Sequence, residues 1–257
     1  MKHIKFYTGT LLLVAFIIVV TTASRQTSTK KFALSSSNSK GFVVMELFTS
    51  QGCSSCPPAD ALLGKYTLLD NDQIIPLAFH VDYWNRLGWK DPFSNSEYSK
   101  RQRDYAMLID NSSVYTPQLI VNGEVEFVGS DAAKISSAVD KAFKILPQLE
   151  IKITELIKKE NKLITNFIID KNLPNTTLNA ALVQKTVTTN ILKGENSGLK
   201  LTNYNVVRDF STLHLVNSSS EISLRLPADY DHSKYMVVLY IQEDASGKII
   251  GAVQNSL

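Results

Sequence analysis

The sequence predicts an α/β domain with a helical insertion, followed by an all-β antiparallel sandwich. Three observations predict it. Around the only two cysteines the pattern runs strand, Cys-x-x-Cys, helix, strand, and later hairpin and helix. Pro147 then ends the last helical pattern. Beyond it, short β-type runs alternate with turn signals to the end of the chain.

The elements follow in order. GFVVMELFT (41–49) is a short apolar run with β-branched residues, read as a buried strand. Cys53 and Cys56 follow at once. Pro57 and Pro58 suit a first helical turn, and Ala61, Leu62, Leu68 and Leu69 recur at helical spacing, which places Cys53 at a helix N-terminus. IIPLAFHV (74–81) predicts a second buried strand. An insertion spans about 82–113. In it Ser94 reads as an N-cap with Glu97 as its capping-box partner, opening a helix from about 95 to 109. Residues 114–129 read as a hairpin turning at Asn122-Gly123. Ser130 or Asp131 then caps a helix from about 132 to 146, with Ile135, Val139, Ala142, Phe143 and Leu146 on one face. This first domain spans 41–147. In the second, 148–257, strands are expected at 149–157, 162–170, 178–188, 204–214, 221–226, 235–242 and 248–253.

Of 257 residues, 44% are hydrophobic and 20% charged, which is globular rather than disordered composition. The net charge of +3 falls to +1 once Lys2 and Lys5 leave with the first 24 residues. No basic run remains, so there is no electrostatic case for a nucleic-acid partner. Residues 1–24 carry a basic start, an apolar stretch from Leu11 to Val20 and small residues before Ser24, the pattern of a secretory signal peptide cleaved after Ala23. The alternative is an uncleaved anchor, the one route to a membrane here, because the 19 uncharged residues between Lys5 and Arg25 approach the ~20 that span a bilayer. Either way the folded part is expected outside the cytoplasm, in the periplasm or cell envelope of a bacterium. Residues 25–40 read as a linker.

Outside the cytoplasm two thiols can oxidise and stay oxidised. A bridge across two intervening residues removes little chain entropy, so it makes a poor structural clip. Three readings stay open: a redox pair in which Cys53 attacks and Cys56 resolves, a metal site, and an inert buried pair.

The insertion HVDYWNRLGWKDPF concentrates side chains that could serve such a site. His80 and Asp82 lie at the carboxyl end of a predicted central strand, the edge where open sheets gather ligands. His80 or Asp82 would move protons, Arg86 or Lys90 would steady a thiolate or an anion, and Trp84 and Trp89 would wall the thiols. The bland alternative is an insertion packing its aromatics as a small core. Cys53, Cys56 and His80 also form a soft donor set for copper, the metal alternative. Farther on, GENSGLKLTNYNVVRDF (194–210) reads as a loop latched onto a strand by an Arg208–Glu195 pair, or else as a contact between the two domains.

The stretches MELFTSQGCSSCPPADALL (45–63), FHVDYWNRLGWKDPFS (79–94), RQRDYA (101–106), VYTPQLIVNG (114–123) and GENSGLKLTNYNVVR (194–208) carry a family resemblance. The order resembles the thioredoxin superfamily, and the chain is more closely similar to an uncharacterised family of secreted bacterial thioredoxin-like proteins, a domain of unknown function. That resemblance implies a thioredoxin-like first domain with a cis peptide bond before Pro117, beside the cysteines. Thr116 and Pro117 would then position an extended substrate, with Trp84, His80 and Asp82 around it. At Asn85 the family more often carries an acid, so no carboxylate role attaches there. The expected activity is thiol–disulfide exchange on envelope proteins, with no organic cofactor because the electrons reside on sulfur, and with a second redox protein to recycle the pair. A redox-inactive binding module is the remaining alternative.

Overall fold

A computed structural model describes residues 41–69, 71–109, 113–171 and 173–257. The signal-peptide and linker expectations for 1–40 lie outside these residues. Among the described residues no helix is long and apolar enough to cross a membrane.

The first half contributes β1 (Val43–Thr49), α1 (Pro57–Thr67), β2 (Ile74–His80), α2 (Ser96–Leu108), β3 (Gln118–Val121), β4 (Val125–Val128) and α3 (Ala132–Ala142). The second half contributes β5 (Ile151–Lys159), β6 (Lys162–Ile169), β7 (Thr176–Asn190), β8 (Lys200–His214), β9 (Ser219–Arg225), β10 (Tyr235–Glu243) and β11 (Ile249–Ser256). The local chemistry explains the boundaries. Asn95, rather than Ser94, caps α2, its side chain accepting the Glu97 amide. Asp131 caps α3 by accepting the Lys134 amide. That helix ends at Ala142, earlier than its apolar spacing predicts. Asn122 and Gly123 take positive φ in the β3–β4 turn.

The expected fold class is corrected. The described residues are mostly β, with 44% of them in strands and 19% in helices, and eight strands from both halves join one mixed sheet. Its order is β11-β10-β7-β8-β2-β1-β3-β4, while β5, β6 and β9 form a second, three-stranded sheet. An α/β thioredoxin-like unit followed by a separate sandwich is therefore not what the strands build. The seam between the halves is the parallel pairing of β2 with β8, registered at Ala78 and Val206. Next to it Asn205 takes a left-handed conformation (φ 47°) and donates its side-chain amide to the Pro76 carbonyl at 2.9 Å. A kinked β8 beside a strand that contains proline can form only a short ladder, so side chains hold much of this seam.

Packing confirms that the halves are one body. One core places Ile75, Leu77 and Phe79 of β2 against Ala181 and Val183 of β7 and Val238 and Tyr240 of β10, with Tyr98 and Tyr105 of α2 as cover. The opposite faces of β7 and β10, through Leu178, Leu182, Val237 and Leu239, pack against the three-stranded sheet. A third core seats α1 and α3 on β1 and β3. α1 also reaches β8: a Cβ added at Gly64 would lie 2.5 Å from the Tyr204 ring, so only glycine admits this approach.

One polar cluster crosses the seam. Arg101 of α2 donates to both oxygens of the buried Glu46 of β1, at 2.8 and 3.1 Å. Tyr105 also bonds Glu46, and Tyr240 donates to it at 2.7 Å. The guanidinium sits among the rings of Phe79, Tyr105, Phe210 and Tyr240, 4.9 to 5.8 Å from their centroids. These aromatics come from β2, α2, β8 and β10, so a single cation fastens both halves of the large sheet.

Candidate functional site

Cys53 and Cys56 are joined in a disulfide, and both are fully buried. Cys56 is the N-cap of α1, its carbonyl accepting the Ala59 and Asp60 amides at 2.9 and 3.0 Å. Cys53 lies a turn ahead of the helix, its own carbonyl accepting the Cys56 amide at 3.2 Å. The helix thus starts later than the placement of Cys53 at its terminus requires. Pro57 and Pro58 carry no N–H, so the first turn has few donors to aim at a sulfur.

Hydroxyls take their place. Ser55 Oγ and Thr116 Oγ1 each lie 3.3 Å from Cys53 Sγ. Trp84 donates its indole N–H to Thr116 Oγ1 at 2.8 Å, which occupies that oxygen as an acceptor and leaves its O–H for the sulfur. The Thr116–Pro117 peptide bond is cis. Gln102 of the RQRDYA stretch donates to the Tyr115 carbonyl and to Gln118 Oε1, both at 2.7 Å, and so fixes the segment that carries Thr116.

Beneath the disulfide loop lies a buried ionic pair. His80 Nδ1 and Asp91 Oδ2 are 2.7 Å apart and fully buried. Asp91 Oδ2 also accepts the Gln51 amide at 2.8 Å, two residues before Cys53. Burial by itself would depress the His80 pKa, but Asp91, and behind it Asp60, hold the imidazolium above its usual range. Burial would raise Asp91, and His80 together with the amides of Gln51 and Phe93 draws it below the usual carboxylate range. Asp60, in the first turn of α1, is buried without such support. Desolvation pushes it up to about 7, against the opposing pull of the His80 charge. Asp60 Oδ1, His80 Nε2 and Thr49 Oγ1 are buried with no hydrogen-bond partner, and Thr49 and His80 stand side by side in the β1–β2 register.

Two walls enclose the cysteine loop. One is the insertion: a Cβ built on Gly52 would touch Trp84, and Trp89 donates to Gln51 Oε1 at 3.3 Å. The other is the β7–β8 connection. Asn196 donates to the carbonyls of Gln51 and Cys53, both at 2.9 Å, and Glu195 accepts the Ser54 amide at 3.0 Å. Ser54, through its side chain and then its amide, holds the exposed Glu195 carboxyl below its usual range.

Of the residues singled out in the sequence, the fold brings Cys53, Cys56, Thr116, Pro117 and Trp84 together, with His80 linked through Asp91 and Gln51. Asp82 faces elsewhere: it bonds Ser99 of α2. Arg86 is exposed and donates to the Tyr83 carbonyl, away from sulfur. Arg208 does not meet Glu195; it bonds Gln184, Tyr235 and Asp229. Asn85 has a structural post, accepting the Asp91 amide at 3.1 Å and donating to Ser94 at 2.9 Å. Among the described residues no group of three or more His, Cys, Asp and Glu side chains is placed to hold a metal ion. Asn196, Gln51 and Asp60 were missed. A Glu-Asn pair between two glycines is a legible turn, but nothing in its spacing says which loop it will touch.

A crystal structure of an Agrobacterium tumefaciens protein is 27% identical, with a TM-score of 0.64, over 85% of this chain and 95% of that one. HBP35 of Porphyromonas gingivalis is 16% identical, with a TM-score of 0.61, over 86% of this chain and 77% of that one, a likeness of fold. No curated protein matches the chain. Residues 44–242 match the model of DUF1223, a protein family of unknown function, and the chain belongs to that family.

Proposed function

We propose that the protein is an exported thiol–disulfide oxidoreductase acting on envelope protein thiols through Cys53 and Cys56. One observation carries the reading: two hydroxyls, Ser55 and Thr116, lie 3.3 Å from Cys53 Sγ, and Trp84 orients one of them. When the disulfide opens, O–H donors at that distance favour the charged form of the sulfur, the nucleophile in exchange. Cys53 attacks a substrate disulfide and releases one substrate sulfur as a thiolate. Cys56 then attacks Cys53, releases the second substrate sulfur, and restores the internal disulfide. The substrate leaves with two more electrons, and a second redox protein must return two to the pair. Reversal of these steps oxidises a substrate dithiol.

The test is capture of the half-reaction. A Cys56→Ser variant, expressed with its leader, accumulates mixed disulfides through Cys53 that reductant dissolves. Absence of Cys53-linked adducts in the envelope fraction rejects the reading. A second reading, a redox-inactive module, is favoured by one observation, the complete burial of both cysteines. It expects no adduct and full biological competence from a double Cys→Ser variant.

A further inference from the structure

We propose that residues 191–199, the connection between β7 and β8, are a strap that gates attack on the Cys53–Cys56 disulfide, with Asn196 and Glu195 as its latch. The proposal rests on the redox reading above and adds the regulation of that same site.

The strap is a preformed unit. The Ile191 amide donates to the Leu199 carbonyl and the Gly198 amide to the Ile191 carbonyl, both at 2.8 Å, closing its neck. Gly194 and Gly198 turn its tip at φ 78° and 85°. Its internal bonds need not break for the tip to lift. What must break are side-chain bonds to the cysteine loop: two from Asn196, which is buried, and one to Glu195, which is exposed. On its flank Gly194 is pressed close to Trp89 of the insertion.

The geometry makes this contact consequential. Exchange requires an incoming thiolate in line with the S–S bond. Cys53 is buried, and Asn196 donates to its carbonyl; in this proposal release of that latch frees the cysteine loop to expose sulfur to the reagent. The Glu195 carboxylate, seated on the Ser54 amide, adds a negative charge on the path of a negative nucleophile.

The test follows reduction of the purified oxidised protein by dithiothreitol, quenched by alkylation and read by mass. One reagent thiolate bonds to Cys53 Sγ, and the S–S electron pair passes to Cys56 Sγ, which takes a proton. The second reagent thiol then displaces Cys53 and leaves as the cyclic disulfide, so the protein gains two electrons and two protons. Each hydrogen bond of this type is worth a few-fold to about tenfold in an equilibrium. Asn196→Ala is expected to raise the rate about tenfold, and Glu195→Gln about threefold. Should Asn196→Ala fail to fold, Glu195→Gln, at an exposed side chain, carries the test. Rates within twofold of wild type overturn the strap and leave the adduct experiment to judge the enzymatic reading. Accelerated reduction without Cys53-linked adducts rejects the enzymatic reading and leaves the strap as the guard of a silent disulfide.

Discussion

Replacing Asp60 with asparagine isolates a buried carboxyl that desolvation disfavours in its charged form. Its carboxyl is raised from 3.8 to about 7, chiefly by desolvation. At about 1.4 kcal/mol per pKa unit, that rise corresponds to roughly 4 kcal/mol. The sign follows from linkage. Below the unfolded pKa of 3.8 the side chain is neutral in both states and costs nothing. As pH rises toward 7 the unfolded chain ionises first, and stability falls until the folded carboxyl ionises too. Asparagine keeps the shape and cannot ionise. The stability advantage of Asp60→Asn over wild type should therefore grow by roughly 4 kcal/mol between pH 4 and pH 8. Urea unfolding of both oxidised proteins across that range measures it, and any fixed cost of the amide cancels in the pH difference. A stability gap between the two proteins that stays flat with pH would refute the reasoning.

The remaining predictions concern the joints of the fold. Arg101→Ala leaves Glu46 buried with tyrosines alone, and should cost about 3–5 kcal/mol in urea unfolding; changing Glu46 to leucine together with Arg101→Met should recover most of it. Gly64→Ala drives a methyl into the Tyr204 ring across the α1–β8 contact and should cost about 1–3 kcal/mol, relieved by Tyr204→Leu. No loss from Gly64→Ala would argue against that close approach.

The sequence made local structure readable and hid its assembly. Every strand expected after Pro147 forms near its predicted place, because period-two patterning and turn residues act over a few positions. Which strands share a sheet is a long-range matter. A clue was present in β7 and β10: Leu178, Ala180 and Leu182 are apolar on one face, Ala181 and Val183 on the other, and Met236 to Ile241 are apolar throughout. A strand in an isolated two-layer sandwich shows one face to water, whereas these are covered on both. At the site, the cysteines, Thr116 and Pro117 were legible from spacing and resemblance. Burial was not: the sequence assigns Cys53 a position along the chain, and only the fold buries it and brings Asn196 of the β7–β8 connection to its carbonyl. The same limit hid Asp60, which reads as an ordinary first-turn acid until the cores close around it.

The chain's two tryptophans, Trp84 and Trp89, both stand at the walls of the disulfide loop, one bonded to the threonine that touches sulfur and the other to Gln51. Intrinsic emission is therefore a built-in optical gauge. A disulfide quenches nearby excited indoles more strongly than thiols do, and neither reporter is diluted by a distant third. Indole emission from this protein, excited apart from its tyrosines, speaks for a single neighbourhood, with no label attached.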